Sequence, residues 1–374
     1  MALTFKAALR AAMGSFSDAN SLSRAAIAAT PPRRHKSDGP GQGTPVLVAR
    51  ALGTGFFQLD GAGRPVLQRE NALERFLDGS RFDITELYVE RWDREPGLTE
   101  RIPSPALVIN GVADPDRHPV MLDGLEERLR IFGAPVLNRP SAVQRTSRDA
   151  VAHQLDSYEG LFVPAVRRLE IGREGFDVGA LREGYPWILR RVGTHRGGSL
   201  ERVDTAAEAH RWFAEHLPEG GAAYAVQFVG NPFREGLWRR FRLLHVGGSL
   251  IPITLHFHDH WNVHSSDRGP LMLGDPSLVA LESAFIEEPQ SVIGESAFAV
   301  IDKALESMQL DYVGMDFDLL PDGRVLVFEV NAAMAPQHSL AVRSPYLNKS
   351  LDRVSAALEG PIARRLNDTQ LTPP

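Results

Sequence analysis

YVGMDFDLLPDGRVLVFEVNAAM, residues 312–334, places two apolar runs on either side of a Pro-Asp-Gly interruption. Asp322-Gly323 is a favoured two-residue hairpin turn, since both residue types tolerate the positive φ that such a tip demands. With that pair at the tip, the numbers of facing residues sum to 645, and Asp316 falls directly opposite Glu329. Side chains alternate along a strand. Asn331 therefore projects from the face of Glu329, one pleat further on, and Asp318 points the same way. The opposite face reads Val313, Met315, Phe317 and Leu319 against Leu326, Phe328 and Val330, all apolar. A slip of one residue would bury the carboxylates and expose that set, so this register is the expected one.

Two carboxylates facing each other across a ladder repel. A divalent cation removes the repulsion. Carboxylate and amide oxygens suit Mg²⁺, which keeps several waters and accepts phosphate oxygens. The plainer alternative is a solvated face whose acids are surface charge. Against it, Val325 and Val327 share that face in this register, and a solvated face seldom ends in Glu-Val-Asn-Ala-Ala-Met.

Upstream, TPVLVAR (44–50), FDITELYVE (82–90), ALVINGV (106–112) and APVLNR (134–139) read as short strands, with a helix at GLEERLRIF (124–132). Strands alternating with helices predict a parallel α/β layer reaching to about residue 140. Residues 30–44 are rich in Pro, Gly and charge and read as a linker. From 141 the texture changes. SAVQRTSRDAVAHQL predicts a helix, followed by strands at YPWILRRV (185–192), AYAVQFV (223–229), RFRLLHV (240–246) and SLIPITL (249–255), and a helix at ESAFAVIDKALESM (295–308). The fold class is α/β followed by α+β.

Composition narrows the chemistry. At about 150 residues per domain, 374 residues predict two or three domains. Cys is absent, which excludes disulfides, thiolate zinc sites, iron–sulfur clusters and thiol nucleophiles. A net charge of −6 gives no global reason to hold nucleic acid or an anionic membrane. No apolar run reaches the roughly 18 residues of a spanning helix. Residues 1–36 carry six Lys/Arg and one acid, Asp18, a composition like a transit peptide, but a surface helix with a basic linker is the preferred reading and cytoplasmic the default location. No GxGxxG follows the first strand, and neither a P-loop nor GxSxG occurs.

Gly-x-Asp, a hairpin and then Phe-Glu-x-Asn resembles the metal-binding end of the ATP-grasp superfamily, which includes D-alanine–D-alanine ligase, glutathione synthetase and the RimK-like ligases. The resemblance implies that Asp316, Glu329 and Asn331 hold Mg²⁺ against nucleotide phosphates. Further segments follow in the family's order. Leu137-Asn-Arg-Pro140 is similar to the Asn-x-Pro linker, and Arg148 stands near the place of a nucleotide-binding Lys. Tyr185-Pro-Trp-Ile-Leu-Arg190-Arg-Val-Gly-Thr-His195-Arg-Gly-Gly-Ser resembles the strand bearing the second such Lys and its phosphate loop, which assigns Arg190, His195, Gly197 and Gly198 to the nucleotide. Arg for Lys keeps the charge and can clasp phosphate with two hydrogen bonds, though with a different orientation. Gln227, Phe228 and Val229 resemble the hinge strand that reads adenine. Arg240 and Arg242 share one face of a strand, and the family's phosphate-contacting Arg matches Arg242 first and Arg240 next; a solvated basic strand is the plainer reading. His256, His258, His260 and His264, in LHFHDHWNVH, border the substrate pocket or make ordinary hydrogen bonds, with zinc as the lesser alternative.

The likeness implies a pre-ATP-grasp-like parallel α/β lobe plus a two-lobed ATP-grasp domain. Its parts are an N-terminal helix and linker (1–43), an N-terminal domain (44–140), a small lobe (141–225) and a large lobe with the metal site and a C-terminal helix (226–374). The activity implied is ATP-dependent ligation of a carboxylate to an amine or other nucleophile through an acylphosphate, with ATP and Mg²⁺ as cofactors. Small-molecule or peptide carboxylates and amines are the expected substrates. A homodimer is among several compatible assemblies. A phosphotransferase on the same scaffold and a nucleotide-binding pseudoenzyme are the alternatives.

Overall fold

The apolar runs of the first third of the chain pair into a five-stranded sheet, ordered Arg33–His35, Phe82–Tyr88, Thr44–Arg50, Leu107–Asn110, Val136–Leu137. The last four run parallel, and Arg33–His35 joins antiparallel at the edge. Burial without alternation from Val46 to Arg50 fits a strand covered on both faces. The computed structural model describes residues 2–13, 16–28, 33–52, 55–59, 62–69, 73–92, 94–170, 181, 184–194, 199–217, 221–263, 268–336, 338–342 and 344–370.

Two features here go beyond the sequence reading, which gave residues 1–43 one helix and a linker. Arg33–His35 is a strand inside the stretch read as a linker, because an edge strand needs backbone pairing and little apolar surface. The N-terminal segment forms two helices, Ala2–Ala12 and Phe16–Ala28, whose Ala7, Ala8, Ala26 and Ile27 pack against a small hairpin, Gly55–Leu59 with Pro65–Arg69.

The second sheet is antiparallel, ordered Glu201–Val203, Trp187–Arg191, Ala222–Gln227, Val166–Glu170. Its apolar face takes Ala209, Trp212 and Phe213 of the helix Ala206–His216. That helix begins at Thr205, whose hydroxyl accepts the Glu208 N–H at 3.2 Å. The third sheet is ordered Ser249–His258, Trp238–Val246, Tyr312–Leu319, Val325–Asn331, Leu161–Phe162. One face is covered by the helices Pro276–Glu287 and Glu295–Glu306, the latter burying Ala297, Ile301, Ala304 and Leu305 at helical spacing. Val354, Leu358 and Ile362 of the C-terminal helix Asn348–Gln370 join Leu244, Val246 and Tyr312 with Val46, Val48 and Ile109 of the first sheet in a shared core.

Asn138 fixes the third sheet to the first. Its Nδ2 donates to Tyr312 O at 2.9 Å, its Oδ1 accepts the Tyr312 N–H at 2.9 Å, and its own N–H donates to Asp311 Oδ2 at 2.8 Å. The side chain thus acts as a strand partner for the first residue of the Asp316 strand. The helix expected over SAVQRTSRDAVAHQL is two, Pro140–Gln144 and Arg148–Leu155, broken where Ser147 turns extended at ψ 152°.

The hairpin departs from the expected register twice. Gly323 takes a positive φ of 87° but Asp322 does not, so the two-residue tip does not form; instead Leu320 N–H donates to Arg324 O at 2.9 Å. Facing numbers then sum to 644 at Leu319–Val325, Asp318–Leu326 and Phe317–Val327, and to 645 from Asp316–Glu329 onward. Phe328 is the extra residue of a β-bulge between them. The two departures cancel, and Asp316 faces Glu329 as expected. The faces beyond the bulge are exchanged: Val325 and Val327 pack in the core with Val330, while Leu326 and Phe328 turn to the cleft side.

Candidate active site

Between the second and third sheets lies a solvent-open cleft of about 970 Å³. Its phosphate-compatible end is lined by Arg148, Arg190, Arg240, Asp316 and Glu329, and its far end by Gln227, Phe228, Val229, Trp238 and Trp261. Eight residues named from sequence thus share one concavity: Arg148, Arg190, Gln227, Phe228, Val229, Arg240, Asp316 and Glu329. His195, Gly197 and Gly198 lie outside the described residues.

Each acid at the cleft floor is met by arginine. Arg242 clasps Asp316 with both sides of its fork, and Arg240 Nη1 adds a contact to Asp316 Oδ2 at 3.3 Å. Arg148 Nη2 lies 2.6 Å from Glu329 Oε1, which also accepts Asn331 Nδ2–H at 2.8 Å. Asp318, placed by sequence on the same face, is buried against Arg239 Nε at 2.6 Å and Asn231 Nδ2 at 2.7 Å, and burial raises its pKa. Repulsion between the paired carboxylates is therefore relieved here by guanidinium groups, the compensation that the sequence reading gave to a cation alone.

Burial lowers the Arg240 pKa; burial also opposes the Arg242 charge, but Asp316 beside it raises that pKa on balance. Arg190 is pushed down to about 10, by burial first and then by Arg148, and its Nη2 donates to Thr194 O. It still carries its charge at neutral pH. At the far end Phe228 meets Trp261 edge-on at 5.7 Å, and Arg202 lies 4.3 Å over its ring, which makes that end of the cleft aromatic.

Carboxylate and amide oxygens are the donor types that suit Mg²⁺, and here those of Asp316 and Glu329 are engaged by Arg242, Arg240 and Arg148. Asp316 and Glu329 face each other across one ladder step, and Asn331 Oδ1 is buried with no hydrogen-bond partner among the described residues.

A smaller pocket of about 400 Å³ continues from the phosphate-compatible end, sharing Arg148, Arg190 and Glu329 and adding Asp114, Asp116, Thr194, Tyr224 and Asn331. Tyr224 Oη lies 2.7 Å from Asp116 Oδ1 and 3.1 Å from Asp149 Oδ1, and Arg168 Nη1 donates to the same phenol oxygen at 3.2 Å. Burial raises the pKa of both Asp116 and Tyr224. Gly193 carries φ 70°, and a Cβ there would stand 3.2 Å from Arg117 Cγ, so glycine lets this loop close on residues 116–117. Sequence reasoning missed Asp114, Asp116 and Tyr224. The available signal was Asp-Pro-Asp at 114–116, just past the carboxyl end of a strand in a parallel sheet, where ligands gather.

His258 and His260 make ordinary hydrogen bonds, accepting the His260 and Asn262 N–H groups, as the sequence reading allowed. The strand ends at His258, so His260 lies beyond it, and His264 is outside the described residues.

No protein-family profile matches the chain, and no curated protein matches it in sequence. Solved structures do. The D-alanine–D-alanine ligase of Bacillus anthracis superposes with a TM-score of 0.55 at 12% identity, covering 87% of this chain and 99% of that one. The chain has the ATP-grasp fold. The same B. anthracis ligase complexed with ATP gives a TM-score of 0.51 at 12% identity over 87% of this chain and 99% of that one. D-alanyl-alanine synthetase A of Vibrio cholerae gives 0.51 at 11% identity, again over 87% and 99%. The ATP-grasp fold accounts for an antiparallel sheet and a largely antiparallel one on either side of a cleft, beside a parallel α/β layer. No described helix is long and apolar enough to cross a membrane.

Proposed function

We propose that this chain is an ATP-dependent ligase that joins a carboxylate to an amine, or to another nucleophile, through an acylphosphate, releasing ADP and phosphate. The observation that carries the reading is the convergence of Arg148, Arg190, Arg240, Asp316 and Glu329 at one end of a cleft whose other end is aromatic. The likeness to D-alanine–D-alanine ligases, one of them complexed with ATP, supports it.

In this reading residues 44–140 form the N-terminal lobe, 141–225 the small lobe and 226–374 the large lobe. Gln227, Phe228 and Val229, with Trp238 and Trp261, seat the base. Arg148 and Arg190 hold the phosphates, with His195, Gly197 and Gly198 assigned to them by the resemblance alone. Asp316, Glu329 and Asn331 hold Mg²⁺, which when bound neutralises phosphate charge. Arg240 and Arg242 stand where charge grows as a donor carboxylate oxygen attacks the γ-phosphorus and the bond to the bridging oxygen of ADP breaks. The amine nitrogen then attacks the acyl carbon, loses a proton, and phosphate leaves.

The test is nucleotide turnover by the full chain with pooled carboxylates and amines, with mass detection of the coupled product. Amine-dependent ADP and free phosphate, with a product joining the two pools, is the expected result. ADP with a stable phosphorylated product would replace ligation by phosphotransfer. A thermal shift with Mg-ATP but no ADP under any pool would make the chain a nucleotide-binding pseudoenzyme. Glu329→Gln should abolish turnover in a folded protein, and full activity in that variant overturns the metal assignment.

A further inference from the structure

We propose that His258, Asp259 and His260 form a second metal site, for a divalent transition ion of the zinc class, beside the cleft. Each residue can offer one ligand atom such that all three atoms lie within 4.8 Å of one another. The imidazole rings of His258 and His260 meet with centroids 3.8 Å apart.

The backbone of the turn orients the three groups toward one another. The His260 N–H lies 3.2 Å from His258 Nδ1 and the Asn262 N–H lies 3.1 Å from His260 Nδ1, so the chain itself fixes both rings. Asp259 Oδ1 lies 2.6 Å from His258 Nδ1. One metal ion can serve two imidazoles and a carboxylate gathered this closely.

Imidazole with carboxylate favours Zn²⁺, Ni²⁺ or Cu²⁺ over Mg²⁺, which separates this site from the oxygen set at Asp316 and Glu329. Three protein ligands leave a coordination position for water or a ligand atom. The turn runs straight into Trp261, Asn262 and Val263, which line the cleft, and Trp238 pairs with His258 in the ladder. An ion there stands beside the aromatic end.

The test is calorimetric titration of Zn²⁺ into the full chain in the presence of excess Mg²⁺, which occupies the oxygen site. One zinc per chain is expected, weakened at least about tenfold in His258→Ala and in His260→Ala. Glu329→Gln and His210→Ala, the latter an exposed histidine on the helix Ala206–His216, should bind zinc as the parent does. His260 and Asp259 are exposed, so His260→Gln and Asp259→Asn provide folded variants should His258→Ala not fold, and each must lose affinity. With Co²⁺ in place of zinc, visible ligand-field bands should appear in the parent and vanish in the histidine variants. The proposal is overturned if the parent binds no zinc, if binding survives loss of the histidines, or if it is lost in Glu329→Gln instead.

Discussion

Arg242 holds Asp316 by two parallel hydrogen bonds, Nε to Oδ1 at 2.6 Å and Nη2 to Oδ2 at 2.7 Å, with the carboxylate only 1% exposed. The fork shape matters, since it satisfies both oxygens of a group taken out of water. Arg242→Ala leaves Asp316 with the 3.3 Å contact from Arg240 alone. Stranding a buried charge in this way should destabilise the fold by about 3–5 kcal/mol, read by urea denaturation. In an Asp316→Asn background the same substitution should cost much less, because no charge is left unpaired. Equal costs in the two backgrounds would show that the pair is not coupled.

Arg148 reaches Glu329 through Nη2 while Nη1 lies 3.4 Å from Phe328 O. A lysine at 148 keeps the charge but loses the second arm of the fork. Calorimetry with Mg-ATP should show Arg148→Lys weakening binding by less than about tenfold, and Arg148→Ala by about 1.5–3 kcal/mol, the worth of a charge-assisted contact. A Lys variant as weak as the Ala variant would place the nucleotide's dependence on guanidinium geometry rather than on charge.

How far the chain could be read depended on what each signal encoded. The pairing of Asp316 with Glu329 agrees with the sequence reading because the longer tip and the bulge at Phe328 offset each other, so two misread features cancel at that rung. The loop was not legible: Asp322 accepts the Arg324 N–H at 3.0 Å, a local side-chain bond that competes with the two-residue tip. Nor was the bulge at Phe328, which leaves no mark in the continuous apolar run Val325-Leu326-Val327-Phe328. Arg148, Arg190 and Arg240 stood out as basic residues in recognisable segments. Asp116 and Tyr224 did not, being 108 residues apart and joined only by tertiary packing. The arginine partners of Asp316 and Glu329 were named from sequence, yet for phosphate, since a sequence does not say what a side chain touches when no ligand is considered.

Asn138 sits at φ 57° and supplies both hydrogen bonds that a strand neighbour would give Tyr312. Asn138→Ala leaves a buried N–H and C=O without those partners and puts a Cβ-bearing residue without a compensating polar group in the left-handed region. A loss of about 2–4 kcal/mol is expected in urea unfolding. Asn138→Gly removes the same hydrogen bonds but accepts the backbone conformation, so it should lose less than the Ala variant. Asn138→Asp keeps the acceptor but buries a carboxylate against the Tyr312 carbonyl and beside Asp311, and should cost at least as much as Asn138→Ala.

His118 is 8% exposed, and its Nε2 has no hydrogen-bond partner among the described residues. Burial, reinforced by Arg117 and Arg24 and only partly offset by Asp114, lowers its pKa to about 4 from the ordinary 6.5. Between those two values the unfolded chain binds the proton and the folded chain does not. Stability from this group is therefore complete above pH 6.5 and is lost as pH falls through about 4, by about 3 kcal/mol in all. His118→Gln, which cannot take up the proton, should remove that part of the acid lability. Urea midpoints measured across this interval should fall less steeply in the variant than in the parent, and the imidazole NMR titration of the parent should show one histidine still neutral at pH 5. A variant that loses stability as steeply as the parent would assign the acid lability to other groups.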